Sequence, residues 1–404
     1  MIGRSSLTGK ACICASTRNP SVPDLTMTPR VSSPIRTSWA PLLGCWGLFL
    51  TGCEHSSPVQ PEPYPPAPPF SALLPRRLTF NLGDDRTPAW LPDGNGIIYS
   101  TEREDRIDHD RCLAVLPAEG GTIRTSYCQL HPEHDDSTDL MEAPAVSGSG
   151  RVFFHRVVSW VGQQKLGASA LLLGEAANPV SASLLRSLPY TAPNGRLHSS
   201  IRTPRWVGPD SLVYLAEQLF YEGSTFLPDT FYTGLDVVLL DLSAAEPRFE
   251  VVPGTDYASA VDVSDDGKAI HYTLGGDSRV FRRELSSGAV STVYDFGPGN
   301  IVRDAQIRES MLVAVVGRSV LYRFEDANGY VQRDEGGDLA MVNLTTLAST
   351  LFSTDSVLFR HPTISPDGSR VVVEVQPYDT VHHQAVSEYN APNHRADLWL
   401  FAME

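Results

Sequence analysis

Thr87-Pro88-Ala89-Trp90-Leu91-Pro92-Asp93-Gly94, followed by Ile97-Ile98-Tyr99-Ser100, recurs near the far end of the chain as His361-Pro362-Thr363-Ile364-Ser365-Pro366-Asp367-Gly368, followed by Val371-Val372-Val373. Each copy reads as a short strand, a Pro-Asp-Gly turn and a second strand. The Asp-Gly step supplies the positive φ that a tight hairpin needs, and the flanking β-branched and aromatic residues suit a buried pleated surface. Fainter copies then stand out. They are Pro144-Ala145-Val146-Ser147-Gly148-Ser149-Gly150 before Val152-Phe153-Phe154, Pro204-Arg205-Trp206-Val207-Gly208-Pro209-Asp210 before Leu212-Val213-Tyr214, and Val261-Asp262-Val263-Ser264-Asp265-Asp266-Gly267 before Ala269-Ile270-His271-Tyr272. One more, Asp304-Ala305-Gln306-Ile307-Arg308-Glu309-Ser310 before Met311-Leu312-Val313, has lost the turn glycine and is placed by position alone.

Each hairpin is followed by a second pair of strands, the third often an apolar run with an acidic or amide residue, as in Val237-Val238-Leu239-Leu240-Asp241-Leu242, Phe281-Arg282-Arg283-Glu284-Leu285 and Met341-Val342-Asn343-Leu344. Four-stranded units recurring roughly every 43 to 60 residues are the blades of a β-propeller. The sequence therefore predicts an all-β fold over 71–404, a six-bladed β-propeller of four-stranded antiparallel blades. The last unit runs only to its third strand, Asp397-Leu398-Trp399-Leu400-Phe401, whereas Arg76-Arg77-Leu78-Thr79-Phe80 precedes the first unit and has no hairpin of its own. Pairing the two closes the ring with an N-terminal strand and buries a sheet edge.

The Trp-Leu-Pro-Asp-Gly and Ile-Ser-Pro-Asp-Gly hairpins at 90–94 and 364–368 resemble the repeat of the TolB propeller family and of the N-terminal propellers of prolyl oligopeptidases. Leu78-Thr79 matches the Leu-Thr that closes a blade in that family. The resemblance spans about residues 76–404 and implies a fold rather than an activity, because its motif residues are turn and packing residues that propellers of many functions share.

The other informative stretch is near the start. Trp39 to Leu50 is almost wholly apolar, follows Arg30 and Arg36, and ends at Leu50-Thr51-Gly52-Cys53. At roughly 1.5 Å per residue such a helix spans about 18 Å, too short for a bilayer core and right for the apolar part of a secretory signal. The small residues before Cys53 are similar to the lipobox of bacterial lipoproteins, which implies removal of 1–52 and acylation of Cys53. A start at Met27 would give a leader of ordinary length. Residues 53–70 then form a tether, rich in proline from Pro58 to Pro69 and so biased to extended polyproline II. Glu54 after the acylated residue favours the outer membrane if the host has one. The sequence thus predicts an exported protein, lipid-anchored at the cell envelope.

The formal net charge is −15, and removing the leader takes away Arg4, Lys10, Arg18, Arg30 and Arg36 against only Asp24, leaving a more acidic protein still. Such a surface repels phosphate backbones and anionic headgroups, so nucleic acid is excluded as a partner and membrane attachment falls to the lipid.

No nucleophile elbow, phosphate-binding glycine loop or His-Glu-x-x-His helix is present, and Gly148-Ser149-Gly150 belongs to a hairpin turn. Cys112 and Cys128 lie symmetrically about Glu119-Gly120-Gly121, so they face each other across a hairpin, and an oxidising compartment favours a disulfide between them. Trp90, Trp206 and Trp399 read as packing residues rather than sugar platforms. If the Asp-Gly turns mark one face of the ring, the long loops of the other carry His109, His131, His134, Asp135, His198, His382, His383 and His394. His131, His134 and Asp135 are ligand types for a divalent metal in a string that also reads as a solvated polar loop, and His109, His198, His382, His383 and His394 would line a binding face.

Two functions remain open at this point. One is a binding or scaffolding module presenting its loops to a protein, peptide or glycan of the envelope, with no cofactor required. The other is a propeller enzyme of lactonase or hydrolase type, with a divalent metal on the loop face or in the central channel.

Overall fold

The computed structural model describes residues 75–403, apart from 81–82, 103–110, 129–136, 161–164, 223–228, 318–319, 324–329, 334–335, 354–356 and 378–395. The leader, Cys53 and the tether lie outside them. The described residues form strands and turns only, and none of their segments is a helix long and apolar enough to cross a membrane.

The strands fall into four sheets of four, one sheet of eight, and two small strand pairs. The eight-stranded sheet is itself two antiparallel runs of four, joined by a single parallel bridge between Arg111 and Leu140. In chain order, blade A holds Asp85–Trp90, Gly96–Glu102, Arg111–Pro117 and Thr125–Tyr127, and blade B holds Ser137–Val146, Arg151–Trp160, Lys165–Glu175 and Asn178–Leu188. Blade C holds Ser200–Gly208, Ser211–Glu222, Asp229–Asp241 and Arg248–Val251, and blade D holds Ala258–Val263, Ala269–Leu274, Arg279–Glu284 and Val290–Asp295. Blade E holds Ile301–Arg308, Met311–Gly317, Asp338–Asn343 and Ser349–Phe352, and blade F holds Val357–Ile364, Arg370–Pro377 and Asp397–Ala402.

Arg76–Arg77 supplies the outer strand of blade F, with Arg76 opposite Leu400 and Arg77 opposite Trp399. The Leu78 amide then donates to the Leu398 carbonyl at 2.7 Å, and Arg77 reaches Asp397 at 2.8 Å. The N-terminal strand thus occupies the edge for which the sequence predicted it.

Turn chemistry follows the repeat. Gly94, Gly267 and Gly368 sit at φ of 69°, 68° and 70°, the conformation that makes Asp-Gly necessary there. In blade E, where the glycine is missing, Glu309 takes φ of 51° instead. Both faces of each second strand are covered, which is why these strands read as continuous apolar runs instead of alternating: Ile97 and Tyr99 pack toward Val372, Leu398 and Leu400 of blade F, while Ile98 packs toward Met141, Val152 and Phe154 of blade B. The other apolar clusters likewise join B to C, C to D, D to E and E to F.

The first strands touch one another in succession, and that of blade F returns to that of blade A. Side chains stitch each junction. Ala143 N donates to Thr87 Oγ1 at 3.2 Å, Trp206 Nε1 to the Ala145 carbonyl at 3.1 Å, Ile307 N to Asp262 Oδ2 at 2.9 Å, and Trp90 Nε1 to the Thr363 carbonyl at 2.9 Å. Arg205 faces Asp262 at 3.7 Å between C and D, and Gln306 accepts from Ile364 N between E and F. Buried Trp90 and half-buried Trp206 are therefore packing residues with their indole N–H groups satisfied. This is a β-propeller with four-stranded antiparallel blades. Cys112, on the third strand of blade A, and Cys128, just past the end of its fourth, are joined by a disulfide, with their Cα atoms 4.6 Å apart.

Candidate functional site at the loop face

Strand direction sorts the ring into two faces. The Asp-Gly turns after the first strands lie on one. The beginnings of the first strands, the connections from second to third strands and the ends of the fourth strands lie on the other. There the first strand of every blade breaks register, between Arg86 and Ala89, Glu142 and Ala145, Arg202 and Arg205, Ala258 and Ala260, Val302 and Asp304, and Arg360 and Thr363. In four of these breaks the residue before a proline is thrown to positive φ: Thr87 at 48°, Ala143 at 50°, Thr203 at 43° and His361 at 45°. A bulge re-aims the side chains beside it, and here charged residues flank it.

The inner wall is consequently a chain of ion pairs. Arg86 meets Asp84 at 2.5 Å, Arg111 meets Glu142, Arg202 Nε stands 2.5 Å from Glu217 Oε1, and Arg360 stands 3.7 Å from Glu374. His361 Nδ1 faces Asp304 at 3.5 Å, and Glu374 accepts from the Thr87 amide at 3.2 Å. Burial raises the carboxyl of Asp84, but Arg86, the Ala396 amide and Arg111 outweigh it and hold the group below the usual range. Glu142 behaves in the same way beside Arg111. Glu217 goes the other way: burial pushes its carboxyl up, only partly offset by Arg202 and His361.

A divalent metal is what the enzyme reading of the sequence expects. Among the described residues no group of three or more His, Cys, Asp and Glu converges as a metal needs. Glu142, Glu217 and Glu374 each face an arginine instead, while the buried Glu217 Oε1, Glu374 Oε1 and Asp304 Oδ1 take no hydrogen bond. The described wall does not fit a divalent cation. His109, His131, His134, Asp135, His382, His383 and His394 lie outside the described residues.

His198 corrects an expectation. Expected on a binding face, it is 0% exposed. Its Nε2 pairs with Asp236 Oδ2 and its Nδ1 with Tyr190 Oη, both at 2.9 Å. Asp236 also accepts from Arg196 at 2.6 Å and Asn194 at 3.0 Å. The burial that would raise the Asp236 carboxyl is outweighed by these donors, so it stays below its ordinary value. The ring is held within the protein by the acceptor it supplies with a proton, and it has no surface to offer a partner.

No family model matches the chain. No curated protein matches it either. Among solved structures it is similar to TolB from Acinetobacter baumannii, at 14% identity over 80% of this chain and 64% of that one, with a TM-score of 0.39. A calcium-binding regucalcin from Agrobacterium tumefaciens gives 13% identity over 81% of this chain and 94% of that one, with a TM-score of 0.49. A gluconolactonase from Xanthomonas campestris gives 12% identity over 81% and 89%, with a TM-score of 0.47. The chain thus spans under two thirds of TolB's length. The fold stands on its own strand pairing, and nothing these proteins bind or act on passes to this chain through such likeness.

His155 is the wall residue whose chemistry gives a measurable signature. It pairs with Glu142 across the first two strands of blade B, and its Nε2 lies 2.7 Å from Ser169 Oγ. Burial, partly opposed by Glu142, pushes the imidazole from 6.5 down to about 4. A folded value below the unfolded one means that the stabilising effect is fully present above the unfolded value and is lost as pH falls through about 4. The shift corresponds to about 3 kcal/mol. Between about pH 7 and pH 4, chemical denaturation of the parent should therefore lose about 3 kcal/mol more stability than that of His155→Gln. Parallel pH slopes would exclude a buried neutral imidazole.

Proposed function

We propose that this chain is exported, acylated on Cys53 and held off the membrane by residues 53–70. In this reading blades A to F are the six blades of one closed ring, and the ring serves as a TolB-like binding or scaffolding module of the cell envelope, engaging a protein, peptide or glycan through the face opposite the Asp-Gly turns. The succession of first-strand contacts from A through F and back to A supports the blade number. The observation that carries the functional reading is the pairing of the inner wall. Glu142 with Arg111, Glu217 with Arg202 and Glu374 with Arg360 spend the charge on the frame itself, leaving recognition to the loops mounted on it.

One observation favours the enzyme reading. Burial holds the Glu217 carboxyl above its usual range, only partly opposed by Arg202 and His361, as burial does in general acids.

A substitution set separates the two. Replacing His131, His134, Asp135, His382 and His383 together by alanine should abolish capture of envelope partners by the full chain and leave its melting temperature unchanged, while Asp93→Ala should leave capture intact. Retained capture in the loop variant, with loss of a turnover or of bound metal in Glu217→Gln, would establish the enzyme instead.

A further inference from the structure

The loop face has a notch at blade D. The second and third strands of blade C run on for 12 and 13 residues, to Glu222 and from Asp229. In blade E an extra hairpin, Val320–Arg323 with Tyr330–Arg333, is inserted between the corresponding strands. Between them, blade D turns back through Gly275 to Ser278 alone, closed by an Asp277 amide to Leu274 carbonyl bond of 3.0 Å.

Tyr257 stands in this notch. It is 59% exposed and holds φ of 61°, in a turn closed by the Ala258 amide on the Thr255 carbonyl at 3.1 Å. That turn position calls for glycine or asparagine, so a large aromatic ring there is strained and solvated at once. Neither packing nor turn chemistry accounts for it. The ring is nevertheless held: the Arg196 guanidinium lies 5.2 Å from its centroid, and Arg196 is fixed by Asp256 at 2.7 Å and by buried Asp236 at 2.6 Å.

Beside the ring is a shallow cavity of about 530 Å³, and an adjoining one of about 490 Å³ shares Gly299 and Asn300 with it and is walled by Tyr294 and Phe296. Both volumes lie within the range of small-ligand sites. The charges at the first cavity are answered internally, Asp256 by Arg196 and Asp277 by Arg279 in a two-point contact of 2.9 and 2.7 Å. What remains is an exposed aromatic face, oriented polar groups and no net charge to draw a cationic peptide. The chain's excess of acid disfavours an anionic ligand.

We propose that Tyr257 is the stacking platform of a site for a neutral oligosaccharide, whose C–H face lies on the ring while its hydroxyls meet the polar rim. This rests on the binding-module reading and gives its ligand class. The test is saturation-transfer NMR on the purified full chain with maltotriose, cellotriose and triacetylchitotriose as probes. At least one should bind, Tyr257→Trp should retain it, and Tyr257→Ala should weaken it at least tenfold. Tyr257→Gly should weaken it equally while raising the melting temperature by about a degree, because the strained φ is relieved. Binding of none of the three, or equal binding by Tyr257→Ala, would overturn the site. Envelope-partner capture by the same variants tells this failure apart from that of the broader reading, since capture through the loop histidines does not need Tyr257.

Discussion

Deletion of residues 75–80 from the full chain should open the ring, lowering stability by more than about 4 kcal/mol or driving the protein into aggregates. Three kinds of contact are lost together. Leu78 is fully buried among Trp90, Tyr99, Leu398 and Leu400, and truncating such a leucine alone costs about 2–5 kcal/mol. The Leu398 amide loses Thr79 Oγ1 at 3.0 Å, and Asp397 loses Arg77. Asp397 then matters more, because burial already pushes its carboxyl up even with Arg77 beside it. Finally, the edge of Asp397–Ala402 becomes a free strand with unpaired backbone groups. Leu78→Ala isolates the packing part, with an expected cost of about 2–5 kcal/mol by urea denaturation. A deletion variant as stable and monomeric as the parent would show that the ring is closed by something else.

Asp236→Ala should be nearly as damaging. The carboxylate is 1% exposed and takes hydrogen bonds from His198, Arg196 and Asn194, so its loss leaves the buried His198 Nε2 without its acceptor and Arg196 with Asp256 alone. Removing one partner of a buried pair costs about 3–5 kcal/mol, most of it from the group left behind. Asp236→Asn keeps the shape and should cost less, about 1–3 kcal/mol. The lowered carboxyl also fixes a sign: its contribution is present above the unfolded value of 3.8 and fades as pH falls below it, so the alanine and parent proteins should converge in stability in acid. Because Arg196 joins Asp236 to Tyr257, the alanine variant should also weaken any ligand at the blade D notch. A loss under about 1 kcal/mol in denaturant would remove this network from the account.

What was legible in the sequence was local. Asp93-Gly94 and Asp367-Gly368 announce hairpins because a backbone angle demands glycine within two residues of the strand end. The Cys112 and Cys128 pairing is a matter of counting from one turn, and the place of Arg76–Arg77 follows from a blade short of a strand. His198 misled because its neighbours look like loop, whereas the groups that bury it, Tyr190 and Asp236, come from the preceding connection and from a strand 38 residues on. The charged wall had a signal in Thr87-Pro88, Ala143-Pro144, Thr203-Pro204 and His361-Pro362, since each proline marks a break that re-aims its neighbours. Which arginine meets which carboxylate depends on the twist of adjoining blades and has no local signature. Tyr257 was hidden for the same reason: its exposure comes from the shortness of a turn 18 residues later between longer neighbours.

The most direct test of the loop face as the working surface is in-cell photo-crosslinking from single positions of the full chain. Reactive residues at Arg279 and Pro298 sample that face, and at Asn95 and Lys268 they sample the Asp-Gly turns, all four being exposed. Specific adducts from Arg279 and Pro298, and none from Asn95 and Lys268, are the expected result. Adducts confined to Asn95 and Lys268 would contradict the account.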